Sequence, residues 1–474
     1  PGRHNRYRRR RNALALMLPG STSMPFGETE ITARLAEYVV TTKPGDLPAT
    51  VRHEALRSFF NIVGCTIGGA RHEIVDLADK ALAPFAGPQQ ATLFARSRKA
   101  DILHAALINA FASSIYSFDD THAQAVVHPS GPVAAAVLAL AEMRPVSGED
   151  LLAAFALGVE LECRLCKAVS VPPAKGTMAW SGTGISGGFG AVAAVGKLLK
   201  LDTERLRWAM GIALSQASGF RAMHGTMQAS MMPAQGAPVG LRAAIMAERG
   251  FTASSVALEG RYGFLTVFCE TPDLDALAGG LGTRFELLRN TYKAYPCGIV
   301  IQPIIDACLQ LRREKAIAAP DIARVDIQAS PGTMALCNNR NPKDELQAHV
   351  SLHHWVAVAF IRGTARIQDM DTETAVKDPA LMAFQDKVEA VLNPGIAADG
   401  TELTVTLTNG AKHVCKIDHC IGSATNPMSD TDLERKFADM SEPVIGPART
   451  RELVAKSWGI GSLADAGALS RASA

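Results

Sequence analysis

Asp119, Asp120, Thr121 and His122 stand together in the chain, and His128-Pro129-Ser130-Gly131 follows after a short gap. Imidazole exchanges protons near neutral pH, and neighbouring carboxylates fix its tautomer and raise its basicity, so this is a set suited to general acid–base work. The cluster falls between two apolar helical stretches, where ionisable groups are costly unless they face a cavity. A pocket is one reading and a polar turn with helix caps is the other; the cluster alone leaves both open. A second set is Lys293-Ala294-Tyr295-Pro296-Cys297-Gly298. Lys293 can hold a carboxylate, Tyr295 can donate or accept a proton, and Cys297 can do either as a stabilised thiolate. Taken in isolation the same six residues read more simply as a loop punctuated by Pro and Gly.

Three other patterns invite stronger chemistry than they support. Gly182-x-Gly184-x-x-Gly187 fits the dinucleotide fingerprint, but Pro172, Pro173 and Gly176 lie upstream where a parallel strand should end. It reads instead as a glycine-rich helix entry able to cradle an anionic substrate group. Cys163 and Cys166 fall within a predicted helix and have no second ligand pair at zinc spacing, so buried thiols are expected. His349 and His353, with His354 adjacent, share a helical spacing that can bind metal. No His-Glu-x-x-His glutamate accompanies them, and packed or substrate-facing histidines are expected instead.

The elements that must position these groups are mostly helical. From about Glu28 to Phe268 the chain reads as helix after helix: Val133 to Met143 is rich in Ala and Leu. Ser147 with Asp150 forms a capping box before an apolar helix from Leu151 to Val169. A helix is expected from about Gly190 to Leu199, and Asp202 caps the next. Much of this part is apolar all round, which predicts helices buried on several faces. After Cys269 the pattern changes. Arg324 to Ala329 alternates as a strand does, and Leu403, Val405 and Leu407 alternate before Asn409-Gly410, a hairpin signal whose two residues both tolerate positive φ. Ser429 with Asp432 then caps a returning helix, and the final small residues look frayed. The fold class is therefore mainly α with a smaller α/β part: a large helical domain over 28–268, a small α/β domain over 269–420, and C-terminal helices over 421–474 returning to the first.

With 474 residues, 47% hydrophobic and 20% charged, the chain can bury a sizeable core. A net charge of +2 offers no chain-wide field for nucleic acid or an anionic membrane, so anion binding must be local. Nine sparse cysteines do not make a disulfide framework, and a reducing, cytoplasmic setting is expected. Six arginines between Arg3 and Arg11 precede the apolar run Ala13 to Leu18, but the run stops at Pro19 without a convincing cleavage pattern. Residues 1–27 are read as a disordered extension, or as an over-called start upstream of Met24. No later stretch is long and apolar enough for a membrane span.

Phe118-Asp119-Asp120-Thr121-His122 with His128-Pro129-Ser130-Gly131 resembles the signature of the MmgE/PrpD family, which includes 2-methylcitrate dehydratase, cis-aconitate decarboxylase and iminodisuccinate epimerase. Further matches follow in order: Gly187 to Leu201, Gly211 to Gly219, Gly250-Phe251-Thr252, Lys293 to Gly298 with Gln302-Pro303, and Ser351-Leu352. The resemblance implies a helical domain built from both ends of the chain, an α/β lid domain, a homodimer, and a site in the cleft that requires no metal or organic cofactor. It also implies chemistry next to a carboxylate of a small polycarboxylic acid. The expected catalytic groups are His128 or His122 as base, Asp120 orienting it, and Lys293 and Tyr295 as carboxylate anchor and proton donor. Thr121, Asp119, Ser181, Thr183, His224 and Cys297 are expected to bind substrate.

Departures from the family pattern are equally specific. Ser117 stands where many members carry aspartate, and Trp180-Ser181-Gly182 where Trp-His-Pro is common. Ala229, Ser230 and Met232 fall where a lysine step and a histidine are often seen, and the decarboxylases carry a histidine near Gly298. These losses argue against cis-aconitate decarboxylation. The leading expectation is a dehydratase-type lyase of the 2-methylcitrate dehydratase kind; an epimerase of a dicarboxylate and a non-catalytic metabolite-binding relative are the alternatives.

Overall fold

The computed structural model describes residues 30–169 and 179–474. The expectations for the arginine-rich N-terminus, for Met24 and for Pro172, Pro173 and Gly176 lie outside the described residues. Within them the protein is mainly α, with a smaller α/β part towards the C-terminus.

Small residues set how closely the helices pack. The helix Ser130–Met143 is built almost entirely of Ala, Val, Leu, Gly and Pro and is buried along most of its length. The Gly148–Val169 helix opens on its capping box, with the Asp150 N–H donating to Ser147 Oγ at 3.1 Å. It crosses the Gly182–Leu198 helix where Gly158 meets Gly190: a Cβ on Gly158 would lie 2.7 Å from the Gly190 carbonyl oxygen. Only glycine permits that approach. Arg164, with no exposed side-chain surface, is tolerated there because Glu160 and the carbonyl oxygen of Gly279 take its protons, at 2.5 and 2.8 Å. The Gly182–Leu198 helix starts earlier than its apolar pattern suggests, since Ser181 caps it by accepting from Gly184 N–H at 3.2 Å.

Asp430–Ile445 begins on the Ser429/Asp432 capping box and lies along Ala49–Gly69, where the Phe437 and Phe60 ring centroids are 4.8 Å apart. The C-terminus is not frayed. Helix Gly467–Ala472 buries Leu469, and the Ala95 N–H donates to the Ser473 carbonyl at 2.9 Å. Packing against the helical body overrides the weak local pattern of these small residues.

A second hydrophobic core lies beneath a four-stranded sheet ordered Val388–Leu392, Ile322–Ala329, Thr401–Leu407, Lys412–Ile417. The first pair is parallel and the others antiparallel. Val325, Ile327, Leu403 and Val405 are wholly buried there with Trp355. The hairpin turn differs from expectation in one respect. Only Gly410 adopts positive φ, at 86°, while Asn409 instead uses its side chain to accept from Ala411 N–H at 3.0 Å.

The element that builds the site is a small one. Strand Asp120–His122 pairs antiparallel with Asn290–Tyr292, with Asp120 opposite Tyr292 and His122 opposite Asn290. This two-stranded ribbon joins the two polar sets singled out in the sequence and brings Asp119 beside Lys293.

Candidate active site

Asp119, His128, Ser181, Thr183, His224 and Lys293 line one cavity of about 140 Å³. A larger cleft of about 680 Å³ beside Arg312, Phe360 and Lys387 has no acid or imidazole among its lining residues. At the floor of the smaller cavity Lys293 Nζ lies 2.9 Å from Asp119 Oδ1, and their side chains are only 2% and 6% exposed. Burial alone would raise the Asp119 carboxyl, but Lys293, His128 and Lys436 outweigh it and hold the carboxyl below its usual range. Lys436 fixes the backbone on both sides by donating to the Phe118 and Lys293 carbonyl oxygens at 2.8 and 2.9 Å. Burial pushes the ammonium of Lys436 itself down to about 8.

His128 is held in one orientation. Its Nδ1 lies 3.0 Å from the Asp120 carbonyl oxygen and 3.0 Å from Thr121 Oγ1, with Asp119 Oδ1 at 3.8 Å. A carbonyl only accepts, so Nδ1 carries the ring proton and Nε2 is the basic nitrogen. Burial lowers the affinity of the ring for a second proton below its ordinary value, and the Asp119 charge offsets this only in part. The ring retains 31% side-chain exposure, enough for a ligand to reach it. The His128 N–H donates to Thr183 Oγ1 at 2.8 Å, which ties His128 to the first turn of the Gly182–Leu198 helix. A helix N-terminus attracts anions, so this end of the cavity favours a negatively charged group next to His128.

Residues 33–277 match the MmgE/PrpD N-terminal domain and residues 295–460 the MmgE/PrpD C-terminal domain. The chain belongs to the MmgE/PrpD family. Among its relatives is a human protein named cis-aconitate decarboxylase, 25% identical over 86% of this chain and 87% of its own length. Another of that name, from Aspergillus terreus, is 22% identical over 92% of this chain and 94% of its own.

Several family-based assignments need correction. His122 does not face the cavity: its ring is wholly buried, with Nε2 3.0 Å from Glu286 Oε2 and Nδ1 accepting from Ala125 N–H at 3.3 Å. Asp120 does not orient His128 through its carboxylate. That group accepts from Ser130 Oγ at 2.5 Å and from Asn290, and the contact to His128 is made by the Asp120 backbone carbonyl. Tyr295 is turned away, its OH donating to Asp306 Oδ1 at 2.6 Å, and burial raises its pKa far above the usual phenol value. Cys297 is wholly buried beside the Gln302 amide, and burial pushes its thiol well up, so it supplies no thiolate. Thr121 is also buried and meets His128 rather than the cavity. His224 stands at the exposed rim.

His349 and Ser117, absent from the expected site residues, also line the cavity and touch each other at 3.2 Å. No spacing in the sequence announces that contact between distant segments. The neighbouring His353 and His354 are packed, against Asn338 at 2.9 Å and the Asp369 carbonyl at 2.7 Å. Among the described residues no group of three or more His, Cys, Asp or Glu is arranged to hold a metal ion. None of the nine cysteines is in a disulfide, and no described helix is long and apolar enough to cross a membrane.

Asp120 gives the site a pH signature. Burial pushes its carboxyl up to about 6 and Asp119 adds to the rise, against the pull of hydrogen bonds from Ser130 and Asn290. A carboxyl raised on folding stabilises the fold at low pH, and that contribution is lost as pH rises through the folded value. Asp120→Asn is therefore expected to gain on the wild type by roughly 2–3 kcal/mol between about pH 4 and pH 7. Urea denaturation at both pH values measures this, and a difference that does not change with pH would contradict it.

Proposed function

We propose that this chain is a lyase that removes a proton next to a carboxylate of a small polycarboxylic acid, in a dehydratase-type reaction of the 2-methylcitrate dehydratase kind. The observation that carries the proposal is His128, with its Nδ1 proton committed to the Asp120 carbonyl oxygen and its ring on a cavity floored by the Asp119–Lys293 pair. Nε2 takes the substrate proton. The imidazolium so formed lies 3.8 Å from the Asp119 carboxylate, which stabilises it. Negative charge moves onto the substrate carboxylate, near the helix start at Ser181 and Thr183. The β-hydroxyl then leaves as water, taking a proton back from His128.

The relatives are named for a decarboxylation, which makes the same kind of carbanion by losing carbon dioxide and then needs an acid to protonate it rather than a base to form it. A His128 whose second proton is disfavoured by burial suits a base instead. The walls at Ser181, Ala229 and Gly298 are also small and uncharged, and a Cβ on Gly298 would lie 2.8 Å from Cys337 Sγ. A thermal-shift screen against di- and tricarboxylates tests the substrate class, because a ligand bound only by the folded state raises its melting temperature. At least one such acid is expected to raise it by several degrees in a concentration-dependent way. A flat response to all of them rejects the reading.

A further inference from the structure

Ser117 and His349 form a contact that the proposed mechanism does not use. Ser117 is not a glycine, yet it holds a left-handed φ of 49°, with its N–H donating to the Ser114 carbonyl at 3.0 Å. That conformation is strained for a non-glycine residue, and it brings Oγ to 3.2 Å from His349 Nδ1. The His349 residue is 5% exposed, and its Nε2 has no hydrogen-bond partner. Glu345 Oε1 lies 4.0 Å from that nitrogen. Glu345 is in turn 3.3 Å from His72 Nε2, which carries the His72 proton because His72 Nδ1 accepts from Ile74 N–H at 3.2 Å.

These contacts favour one direction for each proton. Burial holds the His349 pKa down to about 4, with His72 and Lys293 adding to the effect of burial against the pull of Glu345, so the ring is neutral and has one N–H. That proton is favoured on Nε2, facing the Glu345 carboxylate, which leaves Nδ1 as an acceptor for the Ser117 hydroxyl. Ser117 has a single proton to give. Once it is given to His349, the hydroxyl offers the cavity only lone pairs.

We propose that Ser117 is a specificity-determining residue that accepts a hydrogen bond from a hydroxyl or N–H group of the bound acid, with His349 and Glu345 as positioning residues that fix the direction of its hydroxyl. The inference rests on the reading of this cavity as a carboxylate site. It predicts discrimination between acids of equal charge that differ only by a hydroxyl, because a deoxy ligand covers this half-buried acceptor without offering it a donor.

Calorimetric titration with citrate against tricarballylate, and malate against succinate, tests it. Wild type is expected to bind the hydroxylated member of at least one pair about 10-fold more tightly, near the upper end of what one hydrogen bond contributes. Ser117→Gly accommodates the left-handed backbone and removes the hydroxyl, and it should bring that ratio close to one while leaving affinity for the deoxy acid unchanged. His349→Phe, which frees the hydroxyl to rotate, should lower the ratio as well. Equal affinities in the wild type, or a ratio unchanged in Ser117→Gly, overturn the assignment and leave the carboxylate reading standing. If none of the four acids binds, the carboxylate reading fails and this inference fails with it.

Discussion

Replacing His128 with alanine is expected to lower turnover by roughly 10²- to 10⁴-fold, the usual contribution of a general base, while leaving the fold intact. The ring is partly exposed and packs at the edge of the cavity rather than in the core, so its removal opens space without stranding a buried charge. Its backbone N–H keeps its bond to Thr183, and the Asp119–Lys293 pair beneath is undisturbed. The variant should therefore melt close to the wild type and still bind a carboxylate. An unchanged rate would remove His128 from the mechanism, and loss of ligand binding together with the rate would make it an anchor rather than a base.

Lys293→Met should be the most damaging change to stability around the site. It leaves the Asp119 carboxylate, 6% exposed, without its 2.9 Å partner, and breaking one side of a buried pair costs about 3–5 kcal/mol. Lys436 remains nearby but is committed to two backbone carbonyls. Removing both charges with Lys293→Met and Asp119→Leu should recover much of the loss, since neither ion is then left uncompensated. Urea denaturation of the two single variants and the double variant separates these terms. A cost below about 1 kcal/mol for Lys293→Met would place the pair among solvent-screened ion pairs and remove it as the floor of the site.

Local chemistry made much of this fold legible. Ser147 with Asp150, Asp202, and Ser429 with Asp432 are caps that work within a single helical turn, and each sits where its helix begins. The alternation of Leu403, Val405 and Leu407 likewise describes one strand. The ribbon was not legible, because the partners Asp120 and Tyr292 are far apart in sequence and each strand is only three residues long. Its period explains the misplaced site residues. Successive residues of a strand point to opposite faces, so Asp119 and Thr121 turn towards His128, with Asp119 reaching the cavity, while Asp120 and His122 turn into the core. Read as a polar turn between helices, the same residues appear equally available. The C-terminal segment was misjudged for a related reason, since Leu469 and Ser473 are ordered by contacts to the helical body that composition does not encode.

The sequence marks His349 as a packed or substrate-facing histidine but not as a partner of Ser117, because its spacing to His353 suggests one continuous helix. The chain breaks there instead: Glu345–Ala348 ends just before His349, and Ser351 caps the next helix, Leu352–Ile361. The break turns His349 towards Ser117 while His353 and His354 enter the second core.

Proton NMR in deuterated water, with the acid that most raises the melting temperature, tests the role of His128 most directly. Wild type should replace the hydrogen next to a carboxylate with deuterium, before or along with any elimination, and His128→Ala should not do so at a comparable rate. Retention of that hydrogen through many turnovers, or equal exchange by both proteins, would contradict a base at His128.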